Sequence, residues 1–486
     1  MGKTIFHTAR ITKDKNYDGK FFFGVKTTGI FCRPSCPAPV AKEENVLYFD
    51  TMFEALEQGF RPCLRCRPDV HVEYYNGNID GAKIVSSALK MIYEGYLNYN
   101  SISDLAKEFF ISDRHLRKLF VKNLGIPPVK IVKYHKSLFA KKLLSFSDLS
   151  VTDIAFASGF GSTRQFNHVF KEIFGITPTM VRKERSNLED YQDNTTLLLK
   201  YEKPFDFKQI LSFMKSRAIK GVEIVTENSY SRTFRMYNAK GYFTVSNNIE
   251  KSSLELKINC DDIKCYMTIY NKVRRMFDLD TDFSVINEKF MKDEILQKGM
   301  MNGRVPRLPI AFDTFEFVIR AILGQQITVK AATTLACRIV ERAGIKGEDH
   351  FIEGLDYFFP NPLELLTLDL DGLGITKTRE ATIKTAVNAI INGDVSLSVN
   401  QPFEKFYSDF SSLKGIGDWT VNYVAMRGMG MVDSFPSKDL GIIKALTEDG
   451  KTPSQKEIMK LAERWRPYRA YATLCLWNYE SKREGI

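Results

Sequence analysis

Two stretches of this chain repeat one another. Residues 101–128, "SISDLAKEFFISDRHLRKLFVKNLGIPP", and 150–178, "SVTDIAFASGFGSTRQFNHVFKEIFGITP", share S-[IV]-[ST]-D-[LI]-A and then R-x-[LF]-x-x-[LV]-F-x-x-x-[LF]-G-I-x-P. The register is 49 residues at the start and 50 at the end, so one residue is inserted between the two blocks. A unit used twice must fold twice into the same supersecondary structure, which is a stronger constraint than composition. Each copy reads as helix, turn, helix. Ser103 or Thr152 is placed to cap the first helix, with Asp104 or Asp153 near its positive end. The second helix is expected to begin near Ser112 or Ser162. Leu116, Leu119 and Phe120 recur at helical spacing, as do Phe166, Val169 and Phe170, and those stripes are core. The opposite faces carry Arg114, Arg117 and Lys118 in one copy, and Arg164, Asn167 and Lys171 in the other. Each could be a solvated residue; two such helices together favour insertion into a DNA major groove.

Charge points the same way. The formal net charge is +11, and residues 1–186 carry 28 Lys and Arg against 18 Asp and Glu, leaving the rest of the chain nearly balanced. A basic surplus confined to one part fits a polyanionic partner there, although a merely soluble basic surface would look the same. No apolar run is long enough to cross a bilayer. The N-terminal stretch lacks the apolar core of a signal peptide, so a cytoplasmic protein without a membrane partner is expected.

Four of the eight cysteines lie close together: Cys32-x3-Cys36, then 26 residues, then Cys63-x2-Cys66. In a reducing compartment such pairs favour a metal over a disulfide. Two short chelating turns bring four thiolates to one Zn²⁺ at about 2.3 Å. A redox pair is the alternative, but the βαβ context of that motif is missing. Cys260, Cys265, Cys337 and Cys475 are scattered and read as ordinary residues.

Beyond the repeat, "KERSNLEDYQDN" (183–194) reads as a linker. A β-rich section follows, with strands expected in "TTLLLKY", "RTFRMY", "GYFTVSN", "SSLELKIN" and "CYMTIY". From Asp313 onward the pattern is helical, with breaks at "FFPNP", "LKGIG" and "WRPY". In "LKGIGDWTVNYVAMRG" (413–428) a helix ends in a Gly-x-Gly hairpin and another begins. Gly415 and Gly417 let backbone amides approach a phosphate, and Lys414 adds positive potential; a plain tight turn is the other reading. Asp439 follows Gly417 by 22 residues in "SFPSKDLGIIK". It is either a carboxylate aimed into a cleft or simply a helix N-cap. Trp419, Tyr423 and Trp477 accompany it. Spacing alone favours an aromatic core; the sharper reading is an electron-rich pocket that stacks a flipped, cationic base.

These segments resemble known families. "FFFGVKTTGIFCRPSC" through "GFRPCLRCRPD" is similar to the zinc domain of the Ada-type methylphosphotriester sensors. The repeat resembles the paired helix-turn-helices of AraC-type activators. Residues 195–486, through "RAILGQQITVKAA", the hairpin and "AERWRPYRAYATLCLW", resemble AlkA-type 3-methyladenine DNA glycosylases of the helix-hairpin-helix superfamily. The resemblance implies a multidomain α+β chain in five parts: a small zinc domain (1–78), an all-α tandem helix-turn-helix (79–186), a linker (187–194), an antiparallel sheet with helices (195–310), and an all-α helix-hairpin-helix glycosylase core (311–486).

It also implies roles. Cys32, Cys36, Cys63 and Cys66 would hold one zinc, with Cys32 as a stoichiometric methyl acceptor and Arg33 beside it on DNA. Zinc keeps thiolates deprotonated at neutral pH. Four thiolates around Zn²⁺ leave the site at −2, and methylation brings it to −1, which weakens repulsion from phosphates. Asp439 would be the catalytic carboxylate, stabilising an oxocarbenium-like sugar and positioning water. Phe213 would join Trp419, Tyr423 and Trp477 in the pocket. The superfamily's Schiff-base lysine position is Trp419 here, so a monofunctional enzyme is expected. Only Cys475 follows the hairpin, so no iron–sulfur cluster is expected.

Three departures stand out. The AlkA wedge leucine falls on Gln326, with Ile327 beside it. Leu440 stands where AlkA has a tyrosine. No Pro-Cys-His motif of the O6-methylguanine methyltransferase domain occurs. The partners implied are alkylated duplex DNA, promoter DNA and RNA polymerase. A regulator whose C-terminal half only binds damaged DNA, and a glycosylase whose N-terminal half only tethers it, are the competing readings.

Overall fold

The computed structural model describes residues 3–63, 66, 68, 81–147, 149–185, 196–399, 401–448 and 450–484. The linker expected at 187–194 lies outside the described residues. The chain divides into two compact units, Met1–Leu197 with Ile263–Asn271, and Leu198–Asp262 with Lys272–Ile486.

After the helix Lys3–Ile11, the first unit carries a small sheet of β1 (Phe22–Val25), β2 (Ile30–Cys32), β3 (Val46–Phe49) and β4 (Arg61–Pro62), in the order β3-β1-β2-β4. β2 and β4 run parallel, pairing Phe31 with Pro62, and the Cys63 amide donates to the Phe31 carbonyl at 2.9 Å. This pairing sets Cys32 and Cys63 side by side, although they are far apart in sequence.

Seven α-helices follow among the described residues, from Ala82–Tyr93 to Pro178–Arg185. The first helices of the two repeats, Ile102–Lys107 and Val151–Ala157, are capped by Ser101 and Ser150. The caps expected at Ser103 and Thr152 therefore lie two residues too late. Asp104 sits at the third helical position, where its carboxylate reaches back to the Ser101 amide in a capping box. The recognition helices Asp113–Leu124 and Thr163–Phe174 begin at Ser112 and Ser162, as read from the sequence. Leu116, Leu119, Phe120, Phe166, Val169 and Phe170 are all buried.

Matching turn hydrogen bonds locate the inserted residue. The Ile111 amide donates to the Ala106 carbonyl, and the Phe160 amide to that of Ala155, so Phe110 corresponds to Gly159 and the insertion is Gly161. Both equivalent residues have left-handed backbones, φ 56° at Phe110 and 77° at Gly159. Phe110 is also 92% exposed. A bulky side chain in this region costs about 1–2 kcal/mol, which glycine avoids. Phe110→Gly is expected to raise the stability of this unit by about 1 kcal/mol, seen as a higher denaturant midpoint; an unchanged or lower midpoint contradicts the assigned strain.

The second unit carries a sheet of β5 (Thr196–Lys200), β6 (Glu223–Val225), β7 (Ser229–Met236), β8 (Ala239–Asn248) and β9 (Ser253–Cys260), in the order β5-β9-β8-β7-β6. Leu254, Leu256 and Ile258 alternate into its core. The strand expected in "CYMTIY" is instead the start of the helix Tyr266–Met276. Cys265 through Tyr270 are buried without alternation, so their aromatic and β-branched composition imitates a strand while no half-exposed face exists. The remainder is helical, and no described helix is long and apolar enough to cross a membrane.

Asp278, buried at 5% exposure with φ 51°, accepts from the Leu308 amide at 3.0 Å and from the Tyr471 hydroxyl at 3.1 Å. Burial pushes its carboxyl up to about 6, against the opposing charge of Arg307. A folded-state value above the unfolded one gives stability that is complete below about pH 4 and lost as pH rises through about 6. The loss amounts to about 3 kcal/mol. Asn tolerates the same backbone, so Asp278→Asn is expected to flatten the fall in melting temperature between pH 4 and pH 7. An identical slope in the variant would refute this.

Candidate catalytic pocket and metal centre

The four cysteines converge. Cys32 ends β2, Cys36 closes the turn whose amide donates to the Arg33 carbonyl, and Cys63 and Cys66 follow β4. Their sulfurs all lie within 4.8 Å of one another and are buried, with Cys36 and Cys63 3.9 Å apart. Tetrahedral bonds of about 2.3 Å to one zinc would place sulfurs about 3.8 Å apart, so the donor set fits that ion. As bare thiols the four do not ionise together: contact with Cys36 pushes the Cys32 thiol up, and contact with Cys32 does the same to Cys66. A divalent cation removes that conflict.

Asp18 organises the turn between Cys32 and Cys36. Its carboxylate accepts from the Ser35 amide at 2.9 Å and the Ser35 hydroxyl at 2.5 Å, and lies 3.5 Å from the Arg33 guanidinium. Arg33 is thus buried and ion-paired, 7% exposed, and not presented to a phosphate as the sequence reading expected. The recognition helices do present Arg114, Arg117, Arg164 and Asn167 to solvent. Arg117 is held there by Asp113, with two hydrogen bonds of 2.8 and 3.0 Å.

In the second unit a cavity of about 940 Å³ is lined by Phe213, Trp419, Tyr423, Asp439 and Trp477 among others. Asp439 caps the helix Leu440–Ala445, accepting at Oδ1 from the Gly441 and Ile442 amides at 2.9 and 3.3 Å. It is also a cavity carboxylate, so the two readings of this residue coexist. Trp477 Nε1 donates to Oδ1 and Trp419 Nε1 to Oδ2, each at 2.8 Å. Four N–H groups therefore orient one anion. The lack of a side chain at Gly441 permits this, because a Cβ there would stand 2.9 Å from Trp477 Cδ1 and 3.1 Å from Oδ1. Sequence reading gave the two tryptophans a stacking role and missed their hydrogen bonds. Trp419 does stack, on Tyr423, with centroids 4.9 Å apart. Phe213 instead packs against Arg217 and Arg427. Leu440 lines the mouth, 66% exposed.

The hairpin connects the helices Phe403–Ser411 and Asp418–Tyr423. Gly415 has φ 90°, and a Cβ on it would stand 2.1 Å from Thr382 Oγ1, so this glycine is a demand of the fold. Gly417 has open space in front of it, and Lys414 beside it is exposed. The Gln325 side chain donates to the Gly415 carbonyl and to Thr420 Oγ1, both at 3.0 Å. Next to it Gln326 projects outward, exposed, in a left-handed conformation with φ 58°. Gln326 lies off the cavity wall, whereas Ile327 lines the cavity and packs, half-buried, against the core.

Comparison with known proteins covers almost the whole chain. Residues 6–69 match the metal binding domain of Ada, 105–184 a helix-turn-helix domain, and 196–313 the AlkA N-terminal domain. The DNA-3-methyladenine glycosylase 2 of Escherichia coli is 30% identical over 285 residues, 58% of this chain and 96% of that protein. A 3-methyladenine DNA glycosylase structure from Archaeoglobus fulgidus shares the fold, with a TM-score of 0.51 at 20% identity over 60% of this chain and 99% of that one. A probable bifunctional transcriptional activator/DNA repair enzyme AlkA of Mycobacterium tuberculosis is 32% identical over 471 residues, spanning 96% of this chain and 94% of its own length. With its four-cysteine centre, duplicated helix-turn-helix and tryptophan-clamped carboxylate, this chain belongs to the family of bifunctional transcriptional activator/DNA repair enzymes AlkA.

Proposed function

We propose that this chain hydrolyses the N-glycosidic bond of alkylated purines in duplex DNA at Asp439, and that Cys32 removes a methyl group from a DNA methylphosphotriester. The observation that carries the first activity is the Asp439 carboxylate, held by four N–H donors at the wall of an aromatic cavity. Trp419, Tyr423, Trp477 and Phe213 form a slot for an extruded base. As the C1′–N bond breaks, its electron pair leaves with the base and positive charge develops on the sugar. The fixed anion stabilises that charge and directs a water to C1′. Gln326 is the side chain that fills the gap left in the stack, and Gly417 with Lys414 receives a backbone phosphate.

In the first unit the Cys32 sulfur forms a bond to the methyl carbon, the carbon–oxygen bond breaks, and the phosphodiester regains its negative charge. Bound zinc would supply a neutral-pH thiolate. Transfer removes one negative charge from the cysteine site, which favours DNA binding through Arg114, Arg117, Arg164 and Asn167. On this reading residues 1–78 accept the methyl and 79–186 read promoter DNA and recruit RNA polymerase. Residues 195–310 and 311–486 hold the lesion. Incubation with methylated duplex tests the glycosylase reading: free 3-methyladenine and an abasic site in an uncut strand are expected. Binding of that duplex without base release would refute it.

A further inference from the structure

Gln326 stands in a turn pinned on both sides. Its left-handed backbone, φ 58°, is one that a residue with a side chain keeps only where its surroundings fix it. On one side Ile327 packs, half-buried, against the core, and Thr328 caps the helix Val329–Ala343, accepting from the Ala331 amide at 3.2 Å. On the other side stands Gln325. Its side-chain amide donates to the Gly415 carbonyl and to Thr420 Oγ1, each at 3.0 Å. Its backbone carbonyl accepts from Arg379 Nη2 at 2.6 Å.

These partners are the hairpin and the helix that supports it. Gly415 belongs to the turn, and Thr420, 2% exposed, to the helix Asp418–Tyr423 that the turn starts. Arg379 lies in the helix Lys377–Asn392, which also carries Thr382, the residue against which Gly415 packs too closely for a side chain. One helix therefore supports both loops, and one glutamine side chain ties them together. A side-chain amide has two N–H donors, and Gln325 places both on the hairpin segment, so this side chain is committed to the protein while its neighbour Gln326 faces outward.

We propose that Gln325 is a positioning residue that joins the wedge to the phosphate grip, holding the Gln326 side chain at a fixed offset from the hairpin. This rests on the roles proposed above for Gln326 and for Gly417 with Lys414. Extruding a base costs unstacking and unpairing energy. A flexible wedge would add the cost of ordering its own turn on entry. With the turn already fixed to the hairpin, seating a backbone phosphate there brings Gln326 to the base stack in register, and the ordering is complete before DNA binds. Without the two hydrogen bonds the hairpin still holds phosphate, but the wedge arrives unplaced. Gln325 acts through Gln326 and touches neither base nor sugar.

The test uses the full chain and a duplex carrying one 7-methylguanine beside 2-aminopurine, whose fluorescence rises when the stack opens. Gln325→Met keeps the length of the side chain and removes its donors. It should slow both the fluorescence rise and single-turnover release of 7-methylguanine roughly 10-fold, with affinity for undamaged duplex unchanged. Gln325→Lys, which restores donors, should recover part of the loss. Gln326→Ala should show the same defect, and the double variant should be no slower than Gln326→Ala alone, because the two residues act as one element. A merely structural role would multiply the two losses. Multiplied losses, or a Gln325→Met protein that opens the stack and releases base at the wild-type rate, overturn the inference. If Gln325→Met does not fold, Thr420→Val removes one acceptor from the other side, and the same comparison with Gln326→Ala decides. Full activity of Gln326→Ala removes instead the wedge role on which the inference rests, and no release by the wild-type chain removes the glycosylase reading.

Discussion

Asp439→Asn is expected to reduce base release from methylated DNA by at least about 1,000-fold, equivalent to about 4 kcal/mol of lost transition-state stabilisation. The variant isolates charge from architecture. Asparagine is as good an N-cap as aspartate, so its side-chain oxygen can still accept from the Gly441 and Ile442 amides and from Trp477. Its amide nitrogen then faces the Trp419 indole N–H where Oδ2 stood, a donor against a donor. The helix and the cavity remain, while the anion opposite the sugar is gone. Single-turnover release, with melting temperature and duplex binding measured on the same variant, reads this out. A variant that folds, binds DNA and still releases base at near wild-type rate would remove Asp439 from the mechanism.

Stripping zinc is expected to unfold the cysteine module while leaving glycosylase turnover at saturating protein intact. The four sulfurs and their hydrophobic partners, Phe23 and Val46 among them, form a separate small core. The sheet beside them has strands of only two to four residues. Metal binding to such a site contributes about 10 kcal/mol or more, and without the ion four buried thiols in contact have nothing to hold them together. Chelation followed by near-UV circular dichroism and proteolysis of residues 1–78 should show loss of order, reversed by added Zn²⁺. Methyl transfer to Cys32 should vanish in parallel. A chelated protein with undiminished order in this segment would show that the sheet, not the metal, maintains it.

Much of this was legible in the chain because it depends on local spacing. Two short cysteine turns specify a chelating set, since the reach of a thiolate is set by backbone geometry within a few residues. The repeat specified two helix-turn-helix units, because Ser112, Ser162 and the apolar stripes behind them act through neighbours three and four positions away. Local rules also misled where several answers were compatible with the same residues. Ser103 and Ser101 are both acceptable caps in isolation, and only the reach of Asp104 back to an amide decides between them. "CYMTIY" has strand composition, but burial on every side made a helix the better solution for its backbone groups.

What the sequence by itself determined was the inventory: a zinc quartet, a duplicated DNA reader, and a hairpin followed by a carboxylate. What the tertiary structure alone decided was which charges are spent and which are free. Arg33 looked like a DNA contact until Asp18 was found beside it. Trp419 and Trp477, read as stacking walls, also place their indole N–H groups on Asp439 from 20 and 38 residues away. A partner brought from a distant segment costs the chain nothing at the level of local spacing, so no periodicity records it. Whether a buried charge is neutralised, clamped or left for a ligand depends on atoms that only the packed fold brings within hydrogen-bonding distance.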